Sequence, residues 1–268
     1  MSRPQMPIRM NRRAVLPMQS RSQKVLLHSR ALAGLAAACV VASAALASCG
    51  GAAAPRRPPP DPAAAFRPKD GTYRYSTRGF ESVDALLGAR HRYPDTTSIQ
   101  VSRSSCGYAE RWIARRERHT QFDYCVSSDG SRRLNAINDY HEFFGYPEDQ
   151  RYQCSGARVA ALAKVARGFS WTDRCRSRTT LLVLKGKVLG RALLHSARGR
   201  IKAVHLYVVA RSKGHSAGRT TYNTWLEVPG GLLVQRDVTG SATTGTPAGR
   251  VHSEERYRLK LAAGPSGH

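Results

Sequence analysis

The sequence predicts a mainly β domain with minor α content: a curved antiparallel sheet or half-barrel, with one or two short helices, stapled by two disulfides. Three observations carry that expectation. From Thr179 to Leu261 apolar and polar residues alternate in long runs broken by Gly-bearing turn signals. Earlier, Gly71–Ser76 places Tyr73 and Tyr75 on one face, and Thr96–Arg103 (TTSIQVSR) has the β-branched alternation of a strand. Finally, Cys106, Cys125, Cys154 and Cys175 form an even set downstream of an export leader.

The leader comes first. Residues 1–30 hold seven Lys/Arg and no Asp or Glu, and Ala31–Ser48 is uncharged and rich in Ala, Val, Leu and Ser. A basic region followed by an apolar one with small residues at its end is an export signal. Met1, Met10 and Met18 are all candidate starts. Leu46-Ala47-Ser48-Cys49, followed by Gly50, resembles the lipobox of bacterial lipoproteins. That resemblance implies that residues 1–48 are removed and that Cys49 receives lipid and becomes the first residue of the mature chain. It also implies the extracytoplasmic face of the cell membrane as the location. Cys39 competes poorly, because Ala36 occupies the aliphatic position and Val40 follows. An uncleaved span over Ala31–Ala54 is the alternative, weakened by Gly50-Gly51.

Residues 49–69 are dominated by Pro, Ala and Gly and read as a tether. The folded domain is expected over 70–263, with 264–268 as a tail. The whole chain carries +25; residues 1–48 hold seven of its 43 Lys/Arg and none of its 18 Asp/Glu, which leaves the mature part at +18. Export argues against nucleic acid as the partner, which leaves anionic membrane, anionic wall polymer, or an Arg-rich codon bias with no specific partner as the readings of the charge.

Of the three ways to pair four cysteines, the short-range one is favoured, Cys106 with Cys125 and Cys154 with Cys175. Each pair can close a local hairpin or loop. No Cys-x-x-Cys is present to favour zinc or thiol exchange. Between them, Arg115-Arg116-Glu117-Arg118 beside Trp112 reads as a solvated hairpin turn with one buried Trp. Ser82–Leu87 is a candidate helical turn. Val159, Leu162, Ala163 and Ala166, ending at Gly168, have helical spacing. Beyond Thr179, strands are expected to turn at Lys185-Gly186-Lys187, at Arg198-Gly199 and at Pro229-Gly230-Gly231. In Val251–Leu261, Glu255, Tyr257, Leu259 and Leu261 share one face, and Glu254, Arg256, Arg258 and Lys260 the other.

The succession of long hairpins over 180–261, and TTYNTWLEVPGGLLVQRDV (220–238) above all, resembles the final strands of the outer-membrane lipoprotein carrier family and the related actinobacterial lipid-carrier lipoproteins. The resemblance implies an unclosed half-barrel whose concave face shelters acyl chains. The cysteine-bearing segment 106–175 is not part of that family pattern. Trp112, Trp225, Tyr207 and Tyr257 are then the candidate ligand contacts, although tryptophans of a β domain serve first as core.

Catalysis is not expected. Gly214-His215-Ser216-Ala217-Gly218 fits the G-x-S-x-G nucleophile elbow, and Asp237 and His252 follow in triad order. The elbow needs a helix after its serine, whereas Arg219–Thr224 is strand-like, so a glycine-bounded hairpin turn is the expectation. His195 and His205 lie on neighbouring expected strands where they would meet, but no carboxylate spacing calls for a metal. No cofactor is implied. The expected function is a membrane-anchored, non-catalytic domain binding a hydrophobic or amphipathic ligand. An envelope module using its basic surface on wall polymer is the alternative, and a hydrolase using Ser216 the remote one.

Overall fold

Period-two alternation is the rule that builds this molecule, because every strand has one face toward a shared interior and one toward water. A computed structural model describes residues 61–84, 90–143, 146–246 and 249–266. The leader, Cys49 and most of the expected tether lie outside the described residues, as does the second half of the helical turn expected over 82–87, whose first residues, Ser82 and Val83, are strand instead.

The strands are β1 (Gly71–Val83), β2 (Arg90–Arg92), β3 (Thr96–Ser104), β4 (Gly107–Arg115), β5 (Arg118–Val126), β6 (Arg132–Phe143) and β7 (Tyr146–Gly156). They continue as β8 (Ser170–Arg176), β9 (Thr180–Ser196), β10 (Gly199–Gly214), β11 (Ser216–Glu227), β12 (Leu233–Thr246) and β13 (Gly249–Ser266). From β3 to β13 each strand pairs antiparallel with the next. The first half of β1 pairs with β3 and its last residues with β2. β13 pairs back on β1 over most of its length, with Tyr75 opposite Leu261 and Val83 opposite Ser253. The expected curved sheet therefore curves to full closure, an antiparallel barrel of twelve strands with β2 as a short annex. Closure leaves no long edge open for pairing with another chain.

Both short-range disulfides are present, Cys106–Cys125 and Cys154–Cys175. The outward rows are charged: Arg74 and Arg78 on β1, and Glu254, Arg256, Arg258 and Lys260 on β13 are all exposed. A wall of this kind faces water, since charges on the outer face of a membrane-spanning barrel are costly.

Four details depart from the sequence reading. Residues 159–168 form turns and a single bridge between Val159 and Arg132 instead of a helix. The apolar spacing there is real, because Val159, Leu162 and Val165 are buried, but it builds a plug for the barrel end. The described helix is one 3-10 turn, Ala64–Phe66. It lies in the stretch read as tether, with Ala63 buried and Phe66 packed on the core. Lys185-Gly186-Lys187 is not a turn, and β9 runs straight through it. Gly186 faces inward where a Cβ would overlap the Trp171 indole, so the glycine serves close packing. At the other end of the chain, β13 includes Gly264–Ser266, three residues of the expected tail.

One end of the barrel is solid. Tyr73, Tyr75, Tyr108 and Leu233 are almost wholly buried in one cluster that also holds the plug residues Leu162 and Val165. A bulge between His205 and Leu206 shifts the register of the long β9–β10 hairpin. Beyond it, Ile201 joins the same core and Leu194 packs against it. Arg191 donates to the carbonyls of Leu162 and Ala163, tying the hairpin to the plug.

Candidate binding site

The opposite end is hollow. Its inward positions come from the strand ends around the β10–β11 turn, and they are small or polar: Ala210, Ser212, Ser216, Gly218, Gly240 and Ala242 all line a cavity of about 200 Å³. Deeper in, Phe122, Ile137, Leu182, Leu184, Tyr222 and Tyr257 make its floor and walls apolar. A second chamber of about 110 Å³ lies between this cavity and the plug, and the two share Phe122, Leu184 and Tyr222 as walls. The plug contributes Val159 and Leu162 to the inner chamber.

A polar network rings the outer cavity. The β5–β6 register sets Thr120 opposite Asp139 and Arg118 opposite His141. Arg118 therefore reaches Asp139 at 2.5 Å on the neighbouring strand and Glu255 of β13 at 3.3 Å. Thr120 donates to Asp139 at 2.8 Å, and His141 Nε2 lies 3.0 Å from the other carboxylate oxygen. Burial is the largest influence on both Arg118 and Asp139 and works against charge, but their mutual attraction and the groups around them together outweigh it. The arginine is held above its ordinary pKa, with Glu255 adding to the effect, and the Asp139 carboxyl well below its own, with His141 and Thr120 contributing. Arg118 Nε, buried, has no partner among the described residues and belongs to the cavity wall. Beneath the network, Arg236 of β12 pairs with Glu110 of β4 at 3.0 Å, both fully inside, and its guanidinium lies over the Phe122 ring. Tyr257 stacks on Trp112 with ring centroids 4.5 Å apart, and burial holds its hydroxyl in the neutral form.

The four aromatic candidates separate cleanly. Tyr257 lines the outer cavity, and Trp112 lies directly under it, 1% exposed, donating its indole N–H to Thr97. Trp225 is on the outer face, stacked on His205 at 4.0 Å, and Tyr207 shares that outward row opposite Asn223 and Lys187. The reason is register: Thr224 and Leu226 face in, so Trp225 must face out. His195 and His205 do not meet, since one sits opposite Arg200 and the other opposite Gly190.

Ser216 begins β11 directly after the tight turn at His215, and a strand follows it, not a helix. Its hydroxyl bonds Thr244 at 3.2 Å. Asp237 points outward into a two-point ion pair with Arg258, and His252 lies beside Thr243 and Glu254. The three residues in triad order are thus not brought together.

Sequence reasoning missed Arg118, Asp139 and Asp173. Arg118 hides in a charged run that reads as solvated, yet its side chain is only 7% exposed. Asp173 sits between Trp171 and Cys175 at the inward alternation and is 4% exposed. The alternation itself was the available signal. Comparison of the chain with protein-family models, with curated proteins and with solved structures returns no match.

Proposed function

We propose that this protein is a lipid-anchored extracytoplasmic protein, tethered through Cys49 to the outer face of the cell membrane. Its barrel binds a small hydrophobic or amphipathic ligand without transforming it. The cup is the observation that supports this reading: a lumen solid at one end and hollow at the other, apolar in depth and polar at the mouth. Pockets of that composition hold small molecules, with apolar walls for affinity and a few polar groups for orientation. Size narrows the class. An apolar cavity of about 150 Å³ holds benzene, and drug-sized ligands occupy about 300–1,000 Å³. An outer chamber of about 200 Å³ therefore suits one ring or one short chain, not a diacyl lipid. The two disulfides and the leader agree on an oxidising compartment.

The test uses a Cys49→Ser chain, which needs no detergent. Calorimetry with octanol, octanoate and octylamine should give one saturable site for at least one of them. Absence of heat for all three, with no small molecule carried by the native protein in mass spectrometry, ends the reading. Metabolic labelling with a palmitate analogue tests the anchor: label on the wild type, lost in Cys49→Ser, is expected, and an unlabelled wild type contradicts it.

A second reading rests on the outer wall. Arg174 and Arg176 on β8, Lys185 and Lys187 on β9, and Arg211 and Lys213 on β10 are all exposed on neighbouring strands. The outward positions of these strands carry no acidic residue. Such a face would hold the barrel against anionic polymer or head groups, and salt would weaken it. Co-sedimentation with purified cell wall at low and high ionic strength decides this; failure to pellet at low salt removes it.

A further inference from the structure

Two residues of the inner chamber's lining carry a buried polar atom without a partner among the described residues, Arg132 at Nε and Asp173 at Oδ1, and the second is an acceptor. The chamber's walls are apolar almost throughout: Tyr124, Leu134, Trp171, Leu206, Val208 and Leu226 are among them. Asp173 also lines it. One carboxylate oxygen accepts the Trp171 indole N–H at 3.1 Å. The other, Oδ1, is buried without a partner among the described residues. Leaving a buried carboxylate oxygen unsatisfied is expensive, and native interiors do so rarely. Room for the carboxyl is made by Gly156 on β7, directly opposite in the register, where any Cβ would overlap Oδ1.

We propose that the inner chamber is a binding site in its own right and that Asp173 is its polar anchor. The group it takes is small and apolar and carries a hydrogen-bond donor, that is, an alcohol or a primary amine. The donor approaches Oδ1 while the apolar remainder lies against Leu206, Val208 and the Trp171 ring. This goes beyond the reading of the outer cavity, because a ligand small enough for 110 Å³ occupies the inner chamber alone. The two chambers share Phe122, Leu184 and Tyr222 as walls.

Charge refines the choice between the two donors. Desolvation raises the Asp173 carboxyl from 3.8 to about 6, against the opposing Trp171 hydrogen bond. Arg132, Arg236, Tyr124 and Tyr222 are the other charged or titratable groups facing the chamber from β6, β12, β5 and β11. Above pH 6 the carboxylate is ionised and an ammonium gains over an alcohol; below it the advantage disappears.

The Trp171 indole N–H, bonded to the same carboxyl, is the reporter. The Cys49→Ser chain is titrated with n-butylamine, 1-butanol and n-butyl methyl ether while that proton's NMR resonance is followed. Amine and alcohol should shift it saturably at pH 7.5, with the ether weaker by about tenfold, since it offers no donor. Asp173→Asn should weaken the amine by about tenfold and leave the alcohol within about threefold, because the charge is lost and an acceptor remains. Leu206→Trp fills the chamber and should abolish both shifts; it also covers a failure of the Asn variant to fold. Equal affinity for the ether, no shift with any probe, or a shift that survives Leu206→Trp overturns the proposal and leaves Oδ1 with an ordered water only. None of these outcomes depends on whether octanol or its analogues bind the outer cavity.

Discussion

At the closed end of the barrel the inward positions carry Tyr73, Tyr75, Tyr108 and Leu233, sealed by Phe66, Leu162 and Ile201. At the open end, the inward positions of β10, β11 and β12 carry Ser212, Ser216, Gly218, Gly240 and Ala242. Wall, pairing and alternation are the same, and only the volume of the inward side chain differs. A twelve-stranded ring is wide enough that small residues leave space, whereas rings of eight strands are filled by ordinary side chains. Inward side-chain size thus divides the molecule into a region that stabilises and a region that binds. Substitutions at the two ends should therefore have different consequences.

The largest expected effect is in the packed layer directly beneath the cavity. Trp112→Ala removes a ring that stacks on Tyr257 and sits edge-on to Tyr93. It should cost about 3–5 kcal/mol in denaturant unfolding. A cost under about 1 kcal/mol would mean that the layer under the cavity is not tightly packed.

The buried pair between the two regions comes next. Arg236→Met strands the Glu110 carboxylate in the lumen and should also cost about 3–5 kcal/mol. The double variant with Glu110→Leu should recover most of that loss, because an apolar pair of similar volume pays no desolvation. An additive double variant would show that the two side chains do not interact.

At the titratable groups of the two chambers the effects depend on pH. Asp139→Asn withdraws the charged partner from Arg118 and should cost about 1.5–3 kcal/mol at pH 7. Because the folded-state pKa of Asp139 lies below the unfolded value, its contribution is complete above about pH 4 and fades as the pH falls further into the acid range. Wild type and variant should therefore converge in acid, and a gap independent of pH would point to lost packing instead. Asp173 has the opposite sign. Its raised pKa makes the folded state bind a proton that the unfolded state releases, so stability falls as the pH rises from about 4 through 6. Asp173→Asn should gain about 1–3 kcal/mol at pH 8 and little at pH 4, read from urea midpoints. A stabilising substitution at a buried polar position is the usual mark of a residue kept for a task other than folding.

Much of the frame was legible in the sequence because alternation reports directly on a shared interior. Tyr73 and Tyr75, the row from Tyr257 to Leu261, and the short-range cystines all follow that logic. What resisted reading depends on partners distant in sequence. Gly186 has the look of a turn until Trp171 is seen against it. Val159 and Leu162 have helical spacing, but the barrel end they close is assembled from Phe66, Ile201 and Leu232. Arg118 reads as solvated until closure brings Glu255 of β13 to it. The cavity itself was hidden for the same reason. Glycine, serine and alanine on β10–β12 look like ordinary polar strand residues unless it is known that all of them face one lumen.

The central claim, that the hollow end binds a small amphipathic molecule, is tested most directly by blocking it. Ala210, 3% exposed, lines the outer cavity in a wall with spare volume. Ala210→Phe should shift the urea midpoint by less than the equivalent of about 1.5 kcal/mol. In calorimetry of the Cys49→Ser chain, the same substitution should eliminate binding of whichever eight-carbon probe the unblocked barrel takes up. Undiminished binding by a folded Ala210→Phe protein would contradict the claim.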